Sequence, residues 1–259
     1  MVSSAASDVY KRQGQTGGNV HINARAILDA GKTNADGING KGGNITMTAS
    51  DAIIQTASAD THANGTTQGG TIQLDSQNST FTSGKLSATG ETGGTINILS
   101  NDRVVLAAAD INASGNTQGG TVRVGGDFHG TNPNIKNAKT TQVNGATKIK
   151  ADGGKGKVVV WSNEQTDYYG NISANKQGEI EVSSKGNLNY GGMANAGQGG
   201  SLLLDPKNIF ISNNASVANY ALIDPHLAIG NNFGYKTVLL GTTNNGVSVS
   251  YTHLRAHET

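Results

Sequence analysis

A glycosidic bond is cleaved by two carboxylates held at a defined separation, and a lyase needs acids beside Arg or Lys. The acids that could serve are Asp75, Glu91, Asp102, Asp110, Asp127, Asp152, Glu164, Asp167, Glu179 and Glu181. They fall at different places in the repeating pattern described below, so stacking does not bring them into one column. Glu179 and Glu181 share the outward face of one strand, as residues two apart must. A pair of this kind on a solvated strand is ordinary, and no catalytic residue is assigned.

Metal and phosphate chemistry are no better supplied. His21, His62, His129 and His226 are scattered, and no spacing matches a zinc or calcium motif. The tail cluster His253, Arg255, His257 and Glu258 lies in a segment that does not read as native protein. The Gly-Gly turns lack the Gly-Lys-Ser/Thr ending that a phosphate loop requires before a helix. No metal or cofactor site is assigned. Trp161 is the sole tryptophan. With Val158 and Val160 pointing inward it points outward, either to stack on a sugar or partner or to pack under a neighbouring loop near Tyr168 and Tyr169. Packing is the usual fate of so large a ring.

Stepping outward from these side chains, the composition limits the scaffold that can hold them. Charged residues make up 14% of the chain, against about 25% in an ordinary globular domain. The net charge of +1 offers no electrostatic basis for binding nucleic acid or an anionic membrane. Disorder usually brings high net charge and few β-branched residues, whereas here Val, Ile and Thr recur at regular places. Without Cys there are no disulfides and no thiolate metal sites.

The regularity is an internal repeat. Gly17-Gly18-Asn19-Val20-His21-Ile22 returns as Gly42-Gly43-Asn44-Ile45-Thr46-Met47 and Gly69-Gly70-Thr71-Ile72-Gln73-Leu74. It returns again as Gly93-Gly94-Thr95-Ile96-Asn97-Ile98 and Gly119-Gly120-Thr121-Val122-Arg123-Val124. Looser copies start at Lys155, Gln177 and Gly199. A spacing of about 25 residues marks a solenoid. Apolar residues alternate within each copy, which is the strand period. A second segment follows in Ala26-Ile27-Leu28, Ala52-Ile53-Ile54, Val104-Val105-Leu106 and Thr147-Lys148-Ile149. A third ends in patterns such as Leu86-Ser87-Ala88-Thr89-Gly90 and Ile111-Asn112-Ala113-Ser114-Gly115.

Short strands joined by Gly and Asn turns make one coil of an all-β, right-handed parallel β-helix of about eight coils. Glycines are expected to supply positive-φ corners, and stacked Asn and Thr to form ladders outside. The long gap between Gly120 and Gly154 predicts an excursion loop around Asp127-Phe128-His129-Gly130-Thr131-Asn132-Pro133.

The ends differ in texture. Asp8 to Gln13 can be encoded by GAT-GTG-TAT-AAG-AGA-CAG, whose reverse complement in a shifted frame encodes Val249-Ser250-Tyr251-Thr252-His253. Residues 1–13 and 249–259 therefore read as adapter-derived peptide. The β-helix is expected over 14–212, with a truncated second module or loop-rich tail over 213–248. On this reading neither natural terminus is present, and the absence of a leader carries no information.

Lys157-Val158-Val159-Val160-Trp161-Ser162, Tyr169-Gly170-Asn171-Ile172-Ser173-Ala174, Ile180-Glu181-Val182-Ser183-Ser184-Lys185 and Ser201-Leu202-Leu203-Leu204-Asp205-Pro206-Lys207-Asn208-Ile209 follow one another in a specific order. That order resembles the filamentous-haemagglutinin family of two-partner secretion exoproteins. The resemblance implies a secreted or cell-surface adhesive shaft on a bacterium, associated with the outer membrane. It also implies export through an outer-membrane partner barrel that reads a separate N-terminal domain. Receptors or glycans on host or neighbouring cells are the implied partners. Nucleic acid is not among them, no cofactor is implied, and the chain is expected not to be an enzyme. The alternatives are a β-helical carbohydrate-active enzyme, such as a lyase or hydrolase, and the stalk of a contact-dependent toxin-delivery protein.

Overall fold

The computed structural model describes residues 16–208, together with the backbone of the short strands Val9–Tyr10, Phe210–Ile211, Thr237–Val238 and Ser248–Val249. Apart from these strands, the flanking segments read as adapter peptide and the module expected over 213–248 lie outside the described residues. So do His226 and the tail cluster His253, Arg255, His257 and Glu258.

Parallel strands stack into a β-helix with three faces. Successive turns begin at Asn19, Asn44, Thr71, Thr95, Thr121, Lys157 and Glu179, which stand in one register column, and Ser201 opens an eighth. The stack thus holds about seven full turns, against about eight expected. Among the described residues there is no α-helix, and one 3-10 turn spans Phe128–Gly130.

The first face carries the Gly-Gly strands, from the first half of Asn19–Asp29 to Ser201–Leu203. The second face includes Ser79–Thr82, Arg103–Leu106, Thr140–Val143, Gln165–Tyr168 and Ser184–Tyr190. The third is built from three-residue strands, Lys32–Asn34 through Met193–Asn195. Lys148–Lys150 belongs to this third face, paired with Asp110–Asn112 and Asn171–Ser173. The sequence grouping of Thr147-Lys148-Ile149 with the second segment is therefore corrected. The excursion loop delays the second face of that turn to Thr140–Val143, and Lys148 already lies past the next corner.

Alternation decides what fills the interior. Val20, Ile45, Ile72, Ile96, Val122, Val158, Ile180 and Leu202 form one inward column, each buried against the copies above and below. Full burial of an Ile or Leu contributes about 1.5–3 kcal/mol, and each coil obtains it only from its neighbours. A second column, Ala35, Ala63, Ala88, Ala113, Ala151, Ala174 and Ala196, closes the corner before each Gly-Gly pair.

That alanine corner explains the glycines. A Cβ added to Gly42, Gly69, Gly93 or Gly119 would lie 2.0 Å from the carbonyl oxygen of Ala63, Ala88, Ala113 or Ala151. The Gly-Gly residues of these copies do not have positive φ. The expectation of left-handed corners is corrected at these four pairs, which are glycine because backbone approaches backbone, and holds at later corners, where Gly153, Gly154, Gly197 and Gly199 have positive φ.

The interior is also less apolar than the strand pattern implied. Where the first face turns into the second, buried hydroxyls replace aliphatic groups. Ser76 bonds Thr80 at 2.9 Å and Thr80 donates to Leu99 O at 2.8 Å. Ser162 bonds Thr166 at 2.7 Å and Thr166 donates to Ser183 O at 2.8 Å. Hydroxyls that satisfy carbonyls in this way avoid the cost of unpaired polar groups. Outside, the expected amide ladders are present: Asn44 Nδ2 donates to Asn19 Oδ1 at 2.9 Å and Asn189 Nδ2 to Asp167 Oδ1 at 2.6 Å.

Candidate functional site

Two places on the outer surface depart from a plain solvated ladder. The first is the excursion loop. Ala138 N donates to Gly125 O at 2.7 Å, pinching the base, and the segment between folds back as a strap over the first face. Asp127 pairs with Arg123 at 2.8 Å and accepts from Asn132 Nδ2 at 2.6 Å. Burial opposes ionisation of Asp127, but Arg123, Asn132 and the Phe128 N–H together hold its carboxyl below the usual range. Lys136 reaches back to Asp75 at 2.6 Å. At the other end the His129 ring faces Asp205 at 3.6 Å. The strap therefore touches the third turn and the opening of the eighth.

Beneath it lie side chains that alternation had placed in solvent. Val159 and Trp161 are buried, with Trp161 only 5% exposed. Gly130 sits directly on the indole, since a Cβ there would fall 2.5 Å from Trp161 Nε1. The outward-facing, loop-packed reading of Trp161 holds, although its cover is the strap and not Tyr168 or Tyr169. Tyr168 points inward and is fully buried beside Tyr190, ring centroids 5.2 Å apart; burial raises the pKa of both hydroxyls.

Glu181 is the unexpected member. Sequence reasoning paired it with Glu179 on a solvated face, and Glu179 is indeed exposed and bound to Lys157 at 2.8 Å. Glu181 is fully buried instead, because the strap from an earlier turn crosses over it. Its Oε2 accepts from His129 N at 3.0 Å, while Oε1 has no protein partner. Burial pushes its carboxyl up and nearby Asp205 adds to this; the His129 N–H, the His129 ring and Ser183 pull the other way without prevailing. Nothing in the strand's own sequence signals this burial.

The second place is the outer column of the second face. Leu28, Ile54, Phe81 and Val105 stand in register and continue as Gln142, Asp167 and Asn189. Leu28 is 37% and Ile54 43% exposed, so an apolar stripe runs along one side of the shaft. Where it turns polar, an open groove of about 290 Å³ is lined by Val105, Gln142, Asn144, Asp167, Tyr169 and Asn189. Tyr169 stands half exposed at its edge. Runs such as Ala26-Ile27-Leu28 carried the signal: consecutive apolar residues on a strand cannot all face inward.

The remaining acids are dispersed, as their places in the repeat implied. Glu91 accepts from Asn116 at 3.1 Å, Asp102 pairs with Lys139 at 3.0 Å, and Asp152 accepts from Asn175 N at 2.9 Å. Asp110 sits on the third face level with Lys85 and Lys148. Among the histidines, His62 binds Asp60 at 2.6 Å and faces Asp36 at 3.7 Å. The Asp36 carboxylate raises the His62 pKa; burial opposes it, and Asp60 reinforces it. His21 projects from the first face in register with Thr46. Among the described residues no group of three or more His, Asp or Glu side chains is placed to hold a metal ion.

No protein-family model matches this chain, and no curated protein matches it.

Proposed function

We propose that this chain is part of the structural and adhesive shaft of a secreted bacterial surface exoprotein resembling filamentous haemagglutinin, and that it is not an enzyme. The observation that carries the reading is the second face. It presents a stripe of exposed Leu28, Ile54 and partly buried Phe81 leading into the Tyr169 groove, on a scaffold of stacked, near-identical coils. Contiguous exposed apolar surface rimmed by polar groups marks a contact surface. Amides and a carboxylate beside an aromatic ring suit hydroxyl-rich or peptide surfaces of another cell. Glu181, the one fully buried acid among the described residues, lies under the strap, which favours a structural part for it. Export through an outer-membrane partner barrel belongs to the same proposal and rests on the resemblance of the segment from Lys157 to Ile209.

Binding of the purified chain to cell surfaces tests this, with and without prior removal of surface glycans. Ile54→Lys and Tyr169→Ala should each weaken binding while leaving β-sheet circular dichroism unchanged. Unchanged binding in both variants, or release of oligosaccharides from polysaccharides incubated with the chain, would overturn the proposal.

A further inference from the structure

We propose that the strap from Gly126 to Asn137 is a proton-controlled cover, closed over Trp161 while Glu181 carries a proton and released when Glu181 ionises.

The geometry makes closure depend on this one carboxyl group. Glu181 lies at the centre of the covered area, in register between Val159 and Leu203, so its column neighbours offer it no polar partner. The strap supplies the single hydrogen bond to Oε2, from His129 N, and leaves Oε1 without one. Two further buried atoms, Trp161 Nε1 beneath the strap and Asn137 Oδ1 at its end, also lack protein partners. A neutral carboxyl tolerates such surroundings; a carboxylate does not, because burying a charge with so little compensation is costly.

The groups around it are divided, and burial outweighs those that favour the charge. From the strap, the His129 ring lies between Glu181 and Asp205 and attracts both when protonated. From the next turn, Asp205 disfavours a second negative charge. On the strand itself Ser183 also favours the charged form, and Glu179 is occupied by Lys157, whose ammonium also sits 5.0 Å from the Phe128 ring. Arg123 is committed to Asp127 at the base of the strap. Among the described residues, the His129 ring is the one cationic group that acts on Glu181, and it is shared with Asp205. The strap is also held in a conformation that L-residues rarely adopt, with His129 at φ 54°, a strain that only the closed contacts offset.

The sign follows. Closure favours the protonated form, so the closed population is greatest in acid and falls as pH rises above the ordinary carboxyl range. Release would uncover Trp161 and Val159, giving the first face an aromatic surface that it lacks when closed.

Trp161 is the chain's sole tryptophan, so its fluorescence reports the cover directly. The full chain is titrated from about pH 4 to about pH 9, spanning ordinary carboxyl and histidine values, with acrylamide quenching at each point. The wild type should show blue-shifted, poorly quenched emission in acid, then a red shift and stronger quenching as pH rises. Circular dichroism should stay constant. Glu181→Gln should remain blue-shifted throughout, and Glu179→Gln should behave as wild type. Asp205→Asn, which removes a like charge and the His129 latch, should move the midpoint to lower pH. It serves independently if Glu181→Gln does not fold. A pH-invariant wild-type spectrum, or a midpoint untouched by these substitutions, overturns the proposal.

Discussion

Replacing Gly93 by Ala tests the close-approach account of the corners. The new methyl carbon would lie 2.0 Å from Ala113 O and 2.4 Å from Gly120 N, both backbone atoms of the next layer. Neither can move aside as a side chain does. The two turns must separate by more than an ångström to reach ordinary contact, which strains the bond between them from Gly93 N to Gln118 O, 2.8 Å. A buried donor left unsatisfied costs about 1–3 kcal/mol and overpacking about 1–3 kcal/mol. A total loss of about 2–6 kcal/mol is expected on those same scales. Gly145 is the control, since its nearest atom would be 3.7 Å away, and Gly145→Ala should stay within about 0.5 kcal/mol of wild type. The assay is urea unfolding with hydrogen exchange resolved by peptide, which should place the lost protection in the turns on either side of Gly93. Gly93→Asn separates the two explanations. If positive φ were the requirement, Asn would be tolerated better than Ala; under close approach it is at least as damaging. An Asn variant more stable than the Ala variant would refute the reasoning.

Three other outcomes follow from the interior and the surface. Ile96→Ala, in the middle of the aliphatic column, should cost about 2–5 kcal/mol by the same unfolding assay. Thr166→Val keeps shape but removes the hydroxyl bonded to Ser183 O and leaves Ser162 Oγ with Ser184 alone, and should cost about 1–2 kcal/mol; a neutral result would mean that the buried hydroxyls are incidental. His62 has its pKa raised by Asp36 and Asp60, so its stabilising contribution is complete below about pH 6.5 and is lost as pH rises through the raised value. Proton resonances of the imidazole should titrate above the free value, and His62→Gln should remove that part of the pH dependence.

The repeat was legible because its physical cause is local. Alternation in Gly69 to Leu74 fixes which residues face inward, and the Gly-Gly spacing sets the length of a turn. What was not legible depends on where distant backbone travels. Thr147-Lys148-Ile149 resembles a second-face segment in composition, and only the length consumed by the strap puts Lys148–Lys150 on the third face. Glu181 and Glu179 look alike in sequence, yet one is buried by a segment some fifty residues earlier, as the contact from His129 records with a separation of 52. Trp161 was readable as a packed ring, but the identity of its cover was not. The hydroxyl-lined corner escaped notice because Thr suits a strand on either face, so its pairing with a carbonyl leaves no trace in the periodic pattern.

The strap has a mechanical meaning. In a pure solenoid each layer touches only its neighbours, and force or heat can peel layers from one end in small steps. Here a single segment ties Asp75 in the third turn, through Lys136, to Asp205 at the opening of the eighth, through His129. While the strap is closed, the layers it spans would have to yield as one block. The two described turns before Thr71 lie outside the tie and are held by their neighbours alone. A shaft under tension would therefore have a soft section and a stiff section, with the boundary set by one lysine.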